Sequence, residues 1–194
     1  MAALLLWSAP VAATAQPDDV AVVENYLNNL HTLKARFIQT ASDGQQIAGD
    51  FYLKRPGRLR FEYDDPVTDF IVADGMFIYY YDGQMKQQSN APISQSLADF
   101  FLRKNIKLSG DITVSGIKRV EGTLQVTLTQ TKDPHAGALT LGFTEKPMQL
   151  KKWRITDAQG AITEINLYEA QTGMKLDSDL FHYYDPERKK QSFN

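Results

Sequence analysis

Hydrophobic and polar side chains alternate most clearly in residues 49–83, GDFYLKRPGRLRFEYDDPVTDFIVADGMFIYYYDG. Within this stretch Leu59, Phe61 and Tyr63 fall on one face of an extended chain, and the charged residues between them fall on the other. A period of two predicts a strand with one apolar and one solvated face. The stretch therefore predicts a meander of four strands whose aromatic and aliphatic side chains crowd one face. Turn-forming pairs separate these strands at Pro56-Gly57, Asp65-Pro66, Asp74-Gly75 and Asp82-Gly83.

Two other segments have helical spacing. Residues 18–34 begin with the acidic pair Asp18-Asp19, as a helix N-terminus favours. Their apolar side chains fall on one helical face, at Val23, Tyr26, Leu27, Leu30 and Leu33. Residues 93–104, ISQSLADFFLRK, form a second amphipathic segment that contains Phe100 and Phe101. The apolar face of the first helix either packs on a core or also lines a ligand cavity, and the two interpretations are compatible.

The second half of the chain is predicted to be almost entirely strand. Turn signals recur about every 8–12 residues, which indicates ten or eleven strands in one antiparallel sheet. A sheet of that size curls, and the two helices are the available cover for its concave side. The predicted fold class is mainly β with helices, a large curled antiparallel sheet under a helical lid. Alternation in this half places Leu139, Leu141 and Phe143 on one face. Residues 149–156 carry Leu150, Trp153 and Ile155 with imperfect alternation, and residues 161–168 carry Ile162, Ile165 and Leu167.

The N-terminal residues 1–15 are predicted to be a cleaved signal peptide. Residues 2–15 are apolar and small, and Ala13-Thr14-Ala15 before Gln16 is typical of a signal-peptidase site. The apolar run is shorter than the ~20 residues that a membrane-spanning helix needs. A buried first strand or helix is the alternative interpretation. Residues 16–194 are then one exported domain.

Composition and motifs argue against catalysis. The net charge of −2 gives no basic excess for nucleic acid, and the chain has no cysteine for a disulfide, a thiolate nucleophile or a metal. The sequence lacks a G-x-S-x-G elbow and a phosphate-binding glycine loop. The three histidines, His31, His135 and His182, lack metal-ligand spacing. We expect neither an enzyme nor a cofactor.

The central stretch resembles the LolA family of periplasmic outer-membrane lipoprotein carriers. The resemblance rests on KRPGRLRFEY at residues 54–63, IVADG at 71–75 and the aromatic strand that ends YYYD at 79–82, and it extends weakly to LKARFIQ at 33–39. It implies an open β-barrel whose helical lid covers an apolar cavity. With the alternation pattern, it leads us to expect an acyl-chain cavity lined by Leu27, Leu30, Phe51, Phe61, Phe77, Tyr79, Phe100 and Phe101, together with Leu59.

The resemblance also implies roles for two further positions. Arg55 matches the family arginine that closes the lid and drives lipoprotein release, although from the sequence alone it could be a solvated turn residue. Leu59 falls where the family has a hydrophobic residue that contacts the inner-membrane donor, here Leu instead of an aromatic residue.

The function implied is a periplasmic carrier that binds acylated lipoproteins. It would receive them from an inner-membrane ABC transporter and deliver them to an outer-membrane acceptor, acting as a monomer. A lipid- or lipoprotein-sensing regulatory module on the same fold is the alternative.

Overall fold

A computed structural model describes residues 17–96 and 98–188, without the side chains of residues 17 and 18. The predicted signal peptide lies outside these residues. Within them the chain forms eleven strands, two α-helices and two short 3-10 turns, Ile93–Gln95 and Asp179–Phe181. The helices and strands are α1 (Pro17–Asn29), β1 (Thr32–Thr40), β2 (Gln46–Lys54), β3 (Arg58–Tyr63), β4 (Phe70–Asp74), β5 (Phe77–Asp82), β6 (Gln87–Pro92), α2 (Ala98–Leu102), β7 (Ile112–Val120), β8 (Thr123–Gln130), β9 (Gly137–Glu145), β10 (Met148–Asp157) and β11 (Ile162–Thr172).

All eleven strands form one antiparallel sheet in the order β6-β5-β4-β3-β2-β1-β11-β10-β9-β8-β7. Strand β1 joins the two halves by pairing with both β2 and β11. Register shifts in β1–β11, β9–β10 and β7–β8 interrupt the ladders, and such irregularities increase local twist and bending. The sheet stays open between its edges β6 and β7. These findings confirm the predicted fold class.

The hydrophobic core lies between the concave face of the sheet and the helices. Val23 and Leu27 of α1 are fully buried, and the ring of Tyr26 packs edge-on against Phe143 at 5.5 Å between centroids. On the sheet, Leu33, Leu53 and Leu59 occupy paired positions of β1, β2 and β3 and are all buried. The period-two pattern of these strands therefore faces the core as predicted.

Both helices are shorter than predicted. Helix α1 ends at Asn29, Leu30 follows it, and Leu33 belongs to β1. The segment predicted as one helix over residues 93–104 is a 3-10 turn followed by α2. One reason is that Ser96 donates from both its amide and its hydroxyl to the carbonyl of Ile93, at 3.0 and 2.8 Å. Serine side chains that bond nearby backbone groups compete with helix formation in this way.

The convex face of β2–β5 is covered by the C-terminal segment, which we define as residues 173–188. Lys54 donates to the carbonyl of Leu176 at 3.1 Å, and Arg60 donates to that of Leu180 at 3.3 Å. The ring of Tyr183 stacks on Tyr79 with centroids 4.8 Å apart and an interplanar angle of 8°. At β5 the sheet therefore carries aromatic side chains on its convex face as well as apolar ones on its concave face.

This cover corrects the prediction that Phe77 and Tyr79 line the interior. In the register of β4 and β5, Ile71 pairs with Tyr80 and Ala73 pairs with Ile78, so Ile78 and Tyr80 share the concave side. Phe77 and Tyr79 therefore lie on the convex side, where Tyr79 meets Tyr183. The sequence FIYYYD is apolar or aromatic at nearly every position, so alternation alone could not show which side faces the core.

We expect Phe181→Ala to lower the free energy of unfolding by about 3–5 kcal/mol, because the ring is 1% exposed and its removal leaves a cavity. Tyr184→Ala is the matched control, since Tyr184 in the same segment is 61% exposed. Its substitution should change stability by about 0.5 kcal/mol or less. Urea unfolding followed by circular dichroism measures both. Equal effects would show that the C-terminal segment does not pack on the sheet in solution.

Candidate functional site

An apolar cavity of about 250 Å³ lies on the concave face, between the sheet and α2. Strands from both halves of the sheet line it, and α2 contributes Ala98 and Phe101. Gln39 and Thr163 are the polar members of a lining that is otherwise hydrophobic. The lining residues are Gln39, Phe51, Leu59, Phe61, Ile71, Ile78, Ala98, Phe101, Leu139, Leu141, Trp153, Ile155, Thr163 and Ile165.

Four aromatic rings form one side of the cavity. Phe51 and Phe61 are neighbours on β2 and β3 with ring centroids 4.7 Å apart, and Trp153 of β10 contacts both, at 5.3 and 6.1 Å. Phe101 of α2 packs on Trp153 at 5.9 Å. Movement of α2 would therefore separate Phe101 from Trp153 and open the cavity. Trp153 would report such a movement, because the chain has two tryptophans and the other, Trp7, lies in the predicted signal peptide.

The structure brings some of the predicted cavity residues together and separates others. Phe51, Leu59, Phe61 and Phe101 line the cavity. Leu27 and Leu30 are buried in the core without lining it. Phe100 faces a second pocket of about 350 Å³, on the β7–β9 side of α2.

Sequence reasoning missed the cavity residues from the second half of the chain. Leu139, Leu141, Trp153, Ile155 and Ile165 all line the cavity. Alternation correctly placed Leu139 and Leu141 on one face. It gave no sign that β11 pairs with β1, which brings β9–β11 to the other side of the cavity from β2–β5.

The predicted partner-contact residue, Leu59, is 5% exposed and lies inside the cavity. A partner protein cannot reach it while α2 is in this position. Any contact of Leu59 with a donor requires the cavity to be open.

Arg55 lies immediately after β2, with its side chain only 9% exposed. Its Nη1 donates to the backbone carbonyls of Leu27 and Leu30 at the end of α1, the second at 3.3 Å. Its Nη2 donates to the carbonyls of Arg103 and Lys104 just after α2, at 2.6 and 3.4 Å. One guanidinium thus joins the ends of both helices. We call α2 with residues 103–104 the lid.

The chemistry of helix ends explains why an arginine suits this position. The last carbonyls of a helix lack intrahelical partners and carry partial negative charge. Neither α1 nor α2 has a basic residue in its own last turn, so Arg55 supplies the positive charge from the sheet. Burial lowers the pKa of Arg55 from its usual value, but an arginine remains charged in a protein. Its Nε has no partner among the described residues.

Backbone hydrogen bonds next to the Arg55 side chain also join this turn to the lid and to the segment after α1. The amide of Gly57 donates to the carbonyl of Leu102 at 2.9 Å, and the amide of Arg55 donates to that of His31 at 2.8 Å. Gly57 has φ +82°, and a Cβ atom there would lie 2.9 Å from the Cα of Gly75. The Pro56-Gly57 turn therefore needs its glycine to approach both the lid and the β4–β5 turn.

Helix α1 has its own hydrogen bonds to the loop that follows the lid and to β10. The side-chain amide of Asn28 exchanges two hydrogen bonds with the backbone of Ile106, at 2.9 and 2.8 Å. Glu24 accepts from the amide of Leu108 at 2.6 Å, and Tyr26 accepts from the amide of Leu150 at 2.9 Å. These bonds tie α1 to the following loop and to β10. The lid contacts the sheet and its turns through Arg55, Gly57 and Asp111, at its C-terminal end.

A second fastening of the lid is the side chain of Arg103. It contacts Asp99 within α2 at 2.5 Å and Asp111, just before β7, at 3.0 Å. The Arg103 guanidinium holds the pKa of the Asp111 carboxyl below its usual range. This ion pair is largely exposed on the Asp111 side, so we expect it to hold the lid less strongly than Arg55 does.

We expect Arg103→Met to open the lid only slightly, with a change of roughly threefold or less in the open–closed balance, since exposed ion pairs contribute about 0.2–1 kcal/mol. Fluorescence of Trp153, in protein without residues 1–15, measures the change. Raising the salt concentration in the unaltered protein should move the signal in the same direction. A shift from Arg103→Met as large as that from Arg55→Leu would contradict this ranking.

Neither a metal cluster nor a membrane-spanning helix is found within residues 17–96 and 98–188. No cluster of three or more His, Cys, Asp or Glu side chains is placed to hold a metal ion. None of the helices described there has the length and hydropathy to cross a membrane.

An open antiparallel sheet around an apolar cavity, covered by a helix, is the architecture of a protein that binds a hydrophobic ligand. The model of the family "Outer membrane lipoprotein carrier protein LolA" matches residues 28–184. The chain belongs to the LolA family, as its sequence motifs indicated. LolA-family carriers are binding proteins and not enzymes.

Named relatives cover nearly the whole chain. A protein of Pseudomonas aeruginosa named outer-membrane lipoprotein carrier protein is 30% identical over 190 residues, which span 90% of this chain and 89% of the relative. One of the same name from Methylococcus capsulatus is 26% identical over 191 residues, or 94% of this chain and 90% of the relative. A crystal structure of an uncharacterized conserved protein from Thermus thermophilus shares the fold, with a TM-score of 0.52 at 12% identity over 88% of this chain and 96% of that one.

Proposed function

We propose that this protein carries acylated lipoproteins through the periplasm, holding their acyl chains in the cavity. The observation that carries the proposal is the apolar cavity under a lid that one buried arginine fastens. Membership of a family whose relatives are named lipoprotein carriers supports it. The proposed route runs from an inner-membrane ABC transporter to an outer-membrane acceptor, with the carrier acting as a monomer.

Acyl chains in water are costly to expose, and a soluble cavity removes that cost. Burying apolar surface contributes about 25 cal/mol per Å². The cavity of about 250 Å³ is smaller than the roughly 300–1,000 Å³ of sites for drug-sized ligands. The structure therefore corresponds to a closed form, and we propose that several acyl chains enter only after the lid moves away from Trp153.

The closed lid also provides the means of release. Ligand must displace the bonds from Arg55 and Gly57 to the lid, so part of the free energy of acyl-chain burial is offset by the loss of these bonds. A carrier that bound its cargo without this offset would retain it. Delivery then requires an acceptor with higher affinity for the acyl chains than the carrier has.

Release of lipoprotein from spheroplasts tests this function. Spheroplasts with newly made, labelled lipoprotein in the inner membrane are mixed with purified protein that lacks residues 1–15, and the supernatant is assayed. We expect the lipoprotein to appear in the supernatant bound to the carrier, and then to move to added outer membranes. No release would contradict the carrier function. Release without subsequent delivery would favour the sensing module.

We expect the exported protein to begin at Gln16, because Ala13-Thr14-Ala15 supplies the small residues that a signal peptidase selects. N-terminal sequencing of the protein from a periplasmic extract measures this. Ala13→Leu and Ala15→Leu together should block cleavage and leave the protein on the membrane. Recovery of the uncleaved chain from the cytoplasm would contradict the carrier function.

A further inference from the structure

Gln39 is a polar residue in an otherwise apolar cavity lining. It lies one residue before the end of β1, beside Ile165 of β11 and Ile47 of β2 in the strand register. Its side-chain Oε1 accepts a hydrogen bond from the hydroxyl of Tyr63 at 3.2 Å. Its Nε2 makes no hydrogen bond to any described residue. Two amide N–H donors are therefore available to a molecule in the cavity.

The ring of Tyr63, which donates to this amide, is held in place by its packing. The Tyr63 ring packs edge-on against Phe37, with centroids 5.4 Å apart. That contact crosses β2 at Gly49, where a Cβ atom would come 2.8 Å from the Phe37 ring and 2.0 Å from the carbonyl oxygen of Glu62. Burial raises the pKa of Tyr63 to about 12, so its hydroxyl keeps the proton that it donates to the Gln39 amide oxygen. The amide oxygen of Gln39 is thus occupied, and its nitrogen remains free.

The position of Gln39 along the cavity matches one end of an acyl chain. Leu33 and Leu59 mark the Arg55 end of the sheet, and Gln39 lies six residues further along β1, about 20 Å at ~3.3 Å per residue. An acyl chain in a bilayer spans one leaflet, half of the ~30 Å hydrocarbon core, or about 15 Å. This length is less than the distance along β1. An acyl chain that enters at Gln39 and runs toward Arg55 would be accommodated along the strands.

We propose that Gln39 is a specificity-determining residue that binds the carbonyl oxygen at the head of an acyl chain, in an ester or amide linkage, with Tyr63 as its positioning residue. The inference rests on the proposed carrier function and adds a ligand chemistry to it. A hydrocarbon chain by itself has no hydrogen-bond acceptor for an amide N–H, whereas every acyl chain has a carbonyl oxygen at its point of attachment. Thr163, the other polar residue of the lining, lies diagonally across from Gln39 on β11.

Two lipids that differ at this carbonyl provide the test. Monopalmitoylglycerol is an ester, and hexadecylglycerol is its ether analogue with the same chain length and headgroup but no carbonyl. Binding of each to protein without residues 1–15 is measured from Trp153 fluorescence. We expect the unaltered protein to bind the ester roughly 3–10-fold more tightly than the ether, the contribution of a single hydrogen bond.

Gln39→Met should remove the preference, because it keeps the size of the side chain and loses both N–H donors. Its affinity for the ether should be unchanged or higher. Tyr63→Phe keeps the ring contact with Phe37 and should reduce the preference by a smaller factor. Thermal melting of each variant verifies that it folds. If a variant does not fold, the comparison of ester and ether binding by the unaltered protein still tests the proposal.

The outcomes separate the two proposals. Equal binding of ester and ether by the unaltered protein, or an ester preference that survives in Gln39→Met, would overturn the role of Gln39 and leave the carrier function intact. Failure of the unaltered protein to bind either lipid would overturn the carrier function, and this inference with it.

Discussion

Arg55→Leu is expected to accept lipoprotein from the inner membrane but to release it at least tenfold more slowly than the unaltered protein. The substitution removes all four hydrogen bonds from the guanidinium to the ends of α1 and the lid. Hydrogen bonds to a charged donor contribute roughly 1.5–3 kcal/mol each. Loss of even one would shift the open–closed balance by about tenfold. The closed form would then no longer compete with bound cargo.

The measurement is transfer of labelled lipoprotein from loaded carrier to outer membranes. Arg58→Leu is the matched control, because it removes the same charge three residues away, from a side chain that makes no hydrogen bond to a described residue. Arg55→Lys should restore release only in part, since lysine lacks the planar set of donors that reaches four carbonyls. Equal loading and release by Arg55→Leu and the unaltered protein would reduce Arg55 to a structural turn residue.

Phe61→Glu is expected to lower the affinity for acyl chains by tenfold or more. Phe61 lines the cavity and contacts Phe37, Phe51 and Trp153, so the substitution places an unpaired carboxylate on apolar surface that the acyl chains would cover. Uptake of a fluorescent fatty acid measures the loss, and far-ultraviolet circular dichroism verifies that the sheet is retained.

Phe77→Glu is the control for Phe61→Glu. Phe77 has the same side chain in the same meander, but it lies on the convex face and outside the cavity. Its substitution should leave uptake within about twofold of the unaltered protein. A loss of uptake equal to that of Phe61→Glu would contradict the assignment of the two faces. Unchanged uptake in both variants would remove the cavity from the proposed site.

Alternation predicted the sheet well wherever one of its faces is polar. In β3, charged residues alternate with Leu59 and Phe61, and both apolar residues face the core as expected. In β5, the C-terminal segment covers the second face, so side chains on both faces are apolar or aromatic. The sequence of β5 therefore does not show which residues face the core. The sequence indicates a helical turn at Leu180 and Phe181, as observed. The attachment of this segment to the sheet could not be predicted, because it depends on hydrogen bonds from Lys54 and Arg60, which lie far away in sequence.

The site was only partly predictable for a related reason. The family motif identified Arg55, but its acceptors lie 28 residues before it and 48 residues after it, and no local pattern specifies which carbonyls a buried guanidinium will meet. Helix α2 was predicted too long, because its end is set by the donors that Arg55 and Gly57 present to it. The cavity needed β9–β11, whose position follows from the pairing of β1 with β11.

Native mass spectrometry of the protein purified from periplasm tests the central claim most directly. We expect Arg55→Leu to carry one intact acylated lipoprotein per chain, and the unaltered protein to show a smaller loaded fraction. A lipoprotein whose acylated cysteine is replaced by serine should not bind to either. Detection of the bare chain alone in both proteins, or equal binding of the non-acylated lipoprotein, would contradict a carrier that holds its cargo by the acyl chains.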